Sequence, residues 1–354
     1  MKTLIIGGGL SGLALACALE DQGMEYLLIE ARPRWGGRIK TEQSQGTSFD
    51  MGPAWFWPEQ PRIAALIARL NLKKFNQFSD GMAVFEDAQG QVQRGHGIAS
   101  MQGSWRLQGG LGALVHALEQ RIPQQRKRLD AAVRTLAINA KGITATLASG
   151  ETLLADHIVL ALPPRIAATL DYIPALPDTA LYAMAAIPTW MAGQAKAVAT
   201  YKTPFWREAG LSGDGASRLG PMVEIHDASP HDGGTGALFG FIGIPPAGRH
   251  DTAALREHIC AQLGRLFGPQ AAQPETLYIK DWAIDPFTST PADTAPLYVH
   301  PTYGLPSDIA DLWDGTLHFS GTEVARQFGG YLEGALEAAE ATCATLTAKA
   351  RRIP

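Results

Sequence analysis

Leu4-Ile5-Ile6-Gly7-Gly8-Gly9-Leu10-Ser11-Gly12, with Glu30 standing 18 residues after Gly12, is the stretch that decides how this chain folds. Leu4, Ile5 and Ile6 form an apolar run with no charge, as a strand buried in a parallel sheet requires. Gly7 permits a tight turn, Gly9 lets backbone approach a pyrophosphate, and Gly12 lets the next helix pack close to the sheet. That helix, predicted from about Ser11 to Gln22, aims its free N–H groups, beginning at Leu10 and Ser11, and its positive dipole end at phosphate. Tyr26 to Ile29 reads as a second strand. Glu30 at its end places a carboxylate where an adenosine ribose can be bound. The expectation is an α/β, Rossmann-like dinucleotide domain.

The residues after Glu30 separate the possible dinucleotides. A nicotinamide domain would usually continue into another strand and helix. Here the chain runs Ala31-Arg32-Pro33-Arg34-Trp35-Gly36-Gly37-Arg38. Two glycines allow a backbone turn against a ligand, and an arginine fork suits phosphate. The extension resembles the FAD-binding segment of the flavin amine oxidase family. The resemblance implies cofactor contacts at Ala31, Arg32, Gly36, Gly37 and Arg38.

Composition bounds the rest. With 354 residues, 46% hydrophobic and 18% charged, the chain can bury the cores of two domains. A net charge of -4 gives no reason to expect nucleic acid. Cys17, Cys260 and Cys343 stand apart without a CxxC, as buried small residues in a reducing compartment do. No apolar run reaches membrane-spanning length, and the N-terminal strand is not read as a signal peptide. The expectation is a cytoplasmic monomer or homodimer without a metal site.

Along the chain, Pro61 to Leu70 reads as a helix with Ile63, Leu66, Ile67 and Leu70 on one face. A second helix comes after Gly109-Gly110. Strands over 132–138, 143–147 and 151–154 suggest a meander, and 157–162 a buried strand closed by Pro163-Pro164. From 165 to 282, proline, glycine and short strands predominate. Residues 316–319 then predict a strand and 330–348 a long helix. The predicted organisation is a discontinuous FAD-binding domain (1–72, 105–164 and 283–354) with a substrate domain (73–104 and 165–282) built on a mixed β-sheet. The resemblance makes the first domain glutathione reductase-like, of the amine oxidase type.

Near the C-terminus, Gly321-Thr322-Glu323 and Phe328-Gly329-Gly330-Tyr331-Leu332-Glu333-Gly334-Ala335 describe a strand end, a compact turn, a glycine pair and a helix start. They resemble the flavin-binding signature of monoamine oxidase-type enzymes. That implies cofactor contacts at Gly321, Thr322, Glu323, Gly330, Tyr331 and Leu332. It also makes Tyr331 one of two tyrosines flanking an amine, with Phe328 lining the pocket. An electron-rich ring face can hold an amine.

Gln194 to Tyr201, followed by Pro204-Phe205-Trp206, matches the family's strand lysine, which holds a water against flavin N5. Lys196 is therefore expected to be catalytic with Tyr331. Gly52, Pro53, Ala54 and Trp55 resemble the loop passing the flavin ring, with Trp55 also in the substrate pocket. Gly109-Gly110 and Val133 match dinucleotide-contacting positions. Trp282 to Phe287 resembles a segment before the active-site wall.

Three departures stand out. Residues 72–109 are too few for the family's helical lid. Thr288 to Pro296 lacks the cysteine of the covalent-flavin subgroup, so FAD is expected to be non-covalent. The second tyrosine is missing there too, leaving Tyr298 or Trp55 to substitute. His226-Asp227 is read as structural or on the surface, since neighbours on a strand face opposite ways. The function implied is oxidation of a small-molecule amine, with oxygen or another electron acceptor. The alternatives are a dehydrogenase, desaturase or renalase-like oxidase of a non-amine, or a non-catalytic FAD-binding module.

Overall fold

The computed structural model describes residues 1–95, 101–295, 297 and 299–351. A five-stranded, all-parallel sheet gathers segments from both ends of the chain. Its strands are β1 (Lys2–Ile6), β2 (Glu25–Ile29), β3 (Lys127–Arg128), β4 (His157–Leu160) and β5 (Leu317–Phe319), in the order β5-β4-β1-β2-β3. β1 is central because Leu4, Ile5 and Ile6 are apolar on both faces, and all three are buried.

Helices α1 (Leu10–Asp21), α2 (Pro61–Arg69), α3 (Leu111–Gln120), α4 (Thr252–Phe267) and α5 (Leu332–Ala350) are the helices that position the site. Leu13, Leu111, Leu114 and Leu336 join one core on the α1 side of the sheet. On the other side the expected meander forms as Val133–Asn139, Gly142–Leu147 and Thr152–Ala155, and Asp171–Ile173 adds a parallel edge strand. His157–Leu160 is two residues shorter than expected, because Pro164 starts a short helix, Pro164–Ala167.

A seven-stranded mixed sheet forms the remainder, in the order Thr276–Asp281, Ala195–Tyr201, Gly236–Ile242, Met222–Asp227, Leu211–Ser217, Met82–Glu86 and Val92–Gly95. All neighbours are antiparallel except Leu211–Ser217 with Met82–Glu86. Helix α4 covers one face through Leu255, Ile259, Leu263 and Leu266. Its N-terminus is capped by Asp251, which accepts from the amides of Ala253 and Ala254.

Two helices are capped from a distance. α2 begins with Pro61 and lacks a side-chain cap of its own. The fully buried Glu333, in the first turn of α5, accepts from the amides of Arg62 (3.0 Å) and Ile63 (2.9 Å) instead. α3 is capped by buried Asp50, whose two carboxylate oxygens lie 3.0 Å from the Leu111 amide. Glu333→Ala should therefore destabilise the protein by about 3 kcal/mol, because one buried and one part-buried amide lose their acceptor and Arg62 loses a buried partner. Urea unfolding checks this; a loss below about 1 kcal/mol would show that water replaces the carboxylate.

Among the described residues, no helix is long and apolar enough to cross a membrane. No group of three His, Cys, Asp or Glu side chains among them could hold a metal ion.

Candidate active site

One cavity of about 450 Å³ runs from the carboxyl ends of β1 and β2 to the seven-stranded sheet. At its first end the turn after β1 contributes Gly7, Gly9, Leu10 and Ser11 to the lining. Helix α1 starts there from Gly9 with no side-chain cap, so its first amides face the cavity without a competing acceptor. Glu30 lines the same end and is buried. Its carboxylate accepts from the Gly8 amide at 2.7 Å and from the Arg32 amide at 3.0 Å. Those bonds fix its orientation, and the oxygens keep lone pairs that can accept from ribose hydroxyls.

The arginines divide their tasks. Arg32 is held by Glu30, Asp285 and Thr288, and Arg38 donates to Glu323 at 2.6 Å. Both line the cavity. Arg34 does not. Its guanidinium donates to the carbonyls of Trp35, Gly37 and Ile39, fastening the Gly36-Gly37 turn against which Gly9 forms a bridge. Ala31, Gly36, Gly37 and Val133 complete this end, the last beside Ala131 and Ala132.

At the other end stand Gly52, Pro53, Ala54, Trp55, Lys196, Gly321, Thr322, Gly330, Tyr331 and Leu332. Thr322 Oγ1 donates to the Tyr331 carbonyl at 2.7 Å, tying the two parts of the C-terminal motif together. Tyr331 is the residue preceding α5, in extended backbone, and remains 37% exposed. Its ring is therefore available to a ligand.

Lys196 is 3% exposed on the inner strand of the second sheet. Nζ donates to the Gly52 carbonyl at 3.1 Å and lies 4.0 Å from the Phe239 ring centre. Burial lowers its pKa to about 7; Asp50 opposes that fall and Arg106 adds to it. Around neutrality the residue thus passes between ammonium and free amine, which an exposed lysine does not do.

Three residues expected in the site do not line the cavity. Gly12 lies under the turn, where a Cβ would fall 1.9 Å from the Gly7 carbonyl oxygen. Glu323 is fully buried; Arg38 donates to its Oε1, and Oε2 has no hydrogen-bond partner among the described residues. Phe328 is half-buried outside the lining, and its carbonyl lies against Gly334. Gly109 and Gly110 also lie off this cavity. Gly110 is needed for the cap of α3, since a Cβ there would come within 2.9 Å of Asp50. Tyr298 lies outside the described residues.

His226 and Asp227 point opposite ways, as strand alternation requires, and both are buried. His226 bonds Asp214 at 2.7 Å and Glu224 at 2.8 Å. Burial works against its charge, but the two carboxylates hold its pKa above the usual histidine value. It packs edge-on against Trp55, whose Nε1 donates to Gln77. Asp227 instead receives Trp206 and Arg207. The pair is structural and not superficial.

Sequence reading missed Trp190 and Met191, which line the cavity from a turn just before the Lys196 strand. The available signal was two large apolar residues in a turn that leads into a buried strand.

The residues suit FAD. The glycine turns form a cradle that side chains would fill, helix α1 offers amides to phosphate, Glu30 is placed for the ribose, and the cavity continues to Lys196 and Tyr331. Fold and site together define an FAD-dependent oxidoreductase with a glutathione reductase-like cofactor domain.

The family model of flavin-containing amine oxidoreductases matches residues 10–99 and 98–347, and the chain belongs to that family. It is 26% identical to AofH of Mycobacterium tuberculosis, assigned as a flavin-containing monoamine oxidase, over 98% of this chain and 97% of that protein. Putrescine oxidase bound to putrescine superposes with a TM-score of 0.82, 22% identity, and coverage of 98% of this chain and 99% of the other. Cyclohexylamine oxidase from Brevibacterium oxydans gives a TM-score of 0.83 at 21% identity, covering 99% of each chain. The enzyme acts on amines, with FAD as cofactor.

Proposed function

We propose that this enzyme oxidises the carbon–nitrogen bond of an amine at the end of the cavity where Lys196 and Tyr331 stand, and passes the electrons to oxygen. One observation carries the reading. A buried lysine of lowered pKa and an accessible tyrosine ring line the same cavity as the buried carboxylate of Glu30.

Bound FAD supplies the acceptor for a hydride equivalent from the α-carbon of the amine. Tyr331 offers its ring face to the amine, orients it and excludes water from one side. Lys196, anchored by one hydrogen bond to Gly52, keeps other positions on Nζ to hold a water or move a proton at that site. The oxidised product is an imine, which water cleaves to a carbonyl compound and ammonia or a shorter amine. Oxygen takes up the two electrons with two protons and leaves as hydrogen peroxide.

Cys17, Cys260 and Cys343 are free and none lines the cavity, which supports non-covalent attachment. The same reading gives residues 1–72, 105–164 and 283–354 to the cofactor and 73–104 and 165–282 to the substrate. Turnover in air should yield carbonyl product, ammonia or amine, and peroxide in equal amounts. Carbonyl product without peroxide would assign the electrons to another acceptor.

A further inference from the structure

The substrate end of the cavity has a second aromatic wall that no motif announces. Trp190 lines the cavity, and its ring centre lies 4.7 Å from that of His300. His300 stacks on Tyr331 at 5.0 Å with the planes 16° apart, and meets Tyr303 edge-on at 5.5 Å. His300 itself does not line the cavity, so it backs the two rings that do. The glycine pair of the C-terminal motif makes this packing possible. A Cβ on Gly329 would fall 2.3 Å from Tyr303, and one on Gly330 would lie 3.0 Å from Trp190 and 3.2 Å from His300.

The turn carrying Trp190 is held on several sides. The Tyr303 hydroxyl donates to the Pro188 carbonyl at 2.8 Å, and the Thr189 amide donates to Asp293. Arg249 and Ser289 donate to the carbonyls of Gly193 and Ala192. A wall fixed in this way binds without first having to be ordered.

The charges in the lining are as informative as the rings. Among the described residues, the Asp, Glu, Lys and Arg side chains lining the cavity are Glu30, Arg32, Arg38 and Lys196. Glu30 is paired with Arg32, Arg32 also with Asp285, and Arg38 with Glu323. Among the described residues, the substrate end therefore offers no carboxylate to a second ammonium group.

Resting on the proposed amine oxidation, we infer that Trp190, backed by His300, is a specificity-determining residue. It selects an amine with one ammonium group and a flat apolar carbon skeleton, over diamines. The ring wall favours apolar area and aromatic contact, while the lining leaves a second ammonium group unpaired.

The test uses the FAD-loaded enzyme with 2-phenylethylamine and putrescine, measuring kcat/KM for each. The expected result is at least about tenfold preference for 2-phenylethylamine. Trp190→Ala should raise KM for it about tenfold, with a smaller change for propylamine, and Trp190→Phe should restore most of the loss. Equal or better use of putrescine would overturn the inference and leave amine oxidation standing. An unchanged KM in a FAD-loaded Trp190→Ala enzyme would overturn it as well. If Trp190→Ala does not fold, the preference of the unaltered enzyme and Trp190→Phe still decide. Failure of every amine would overturn amine oxidation itself, and this inference with it.

Discussion

Lys196→Met should make the protein more stable and the enzyme slower. Holding an amine whose pKa falls from 10.5 to about 7 costs the folded state about 4 to 5 kcal/mol around neutrality. Methionine has similar length and no charge. It gives up the bond to the Gly52 carbonyl, so the net gain should be about 2 to 4 kcal/mol.

The gain depends on pH with a definite sign. Between about 7 and 10.5 the unfolded chain holds a proton on Lys196 that the folded chain has released. Stability of the unaltered protein therefore rises with pH across that window. The advantage of Lys196→Met should be full below about pH 7 and absent above about 10.5. Urea unfolding of both proteins at about pH 6.5 and about pH 9.5 checks it, and equal stabilities at both would contradict the buried position of Lys196. Turnover of the FAD-loaded variant should fall about 100-fold, as loss of a positioned proton-transfer group does. Such opposed effects are what a residue kept for chemistry produces.

Gly12→Val is expected to have the largest structural effect. A Cβ at this position would sit 1.9 Å from the Gly7 oxygen, far inside contact distance, and the obstacle is backbone. Helix α1 would have to move off β1, taking the amides of Leu10 and Ser11 away from the phosphate end of the cavity. The loss should exceed about 4 kcal/mol. The variant should purify without flavin colour or fail to accumulate. Yellow, normally stable Gly12→Val protein would contradict the close packing of α1.

These two positions mark what the sequence discloses and what it does not. Gly7, Gly9 and Gly12 were readable because backbone sterics and a phosphate cradle leave few residue choices, and the spacing to Glu30 comes from one helix and one strand. Lys196 was readable as a buried strand residue from its apolar neighbours, and as a site residue only through the resemblance of its spacing to Phe205-Trp206 to that of the family's strand lysine. The acidic residues of the C-terminal signature were not. Glu323, expected as a cofactor contact, also pairs with Arg38, and Glu333 caps a helix 270 positions away. Both roles depend on partners brought near only by the fold. Arg34 sits in a basic run and yet serves three carbonyls of its own turn. Trp190 escaped notice because it lies in a turn without periodicity, and His300 acquires meaning only once Tyr331 lies beside it.

Strand alternation did carry information. It separated His226 from Asp227, and the same rule places Glu224 beside His226, where the two are bonded. Asp214 comes from a neighbouring strand and could not have been paired from spacing alone.

Amine oxidation at the Lys196–Tyr331 end of the cavity is decided by mixing the FAD-loaded enzyme with 2-phenylethylamine in the absence of oxygen. The absorbance of the oxidised flavin is followed with time. Complete bleaching is expected, at a rate that saturates with amine, with return of the colour when oxygen is admitted. A flavin that stays yellow with this and every other amine tried would contradict it.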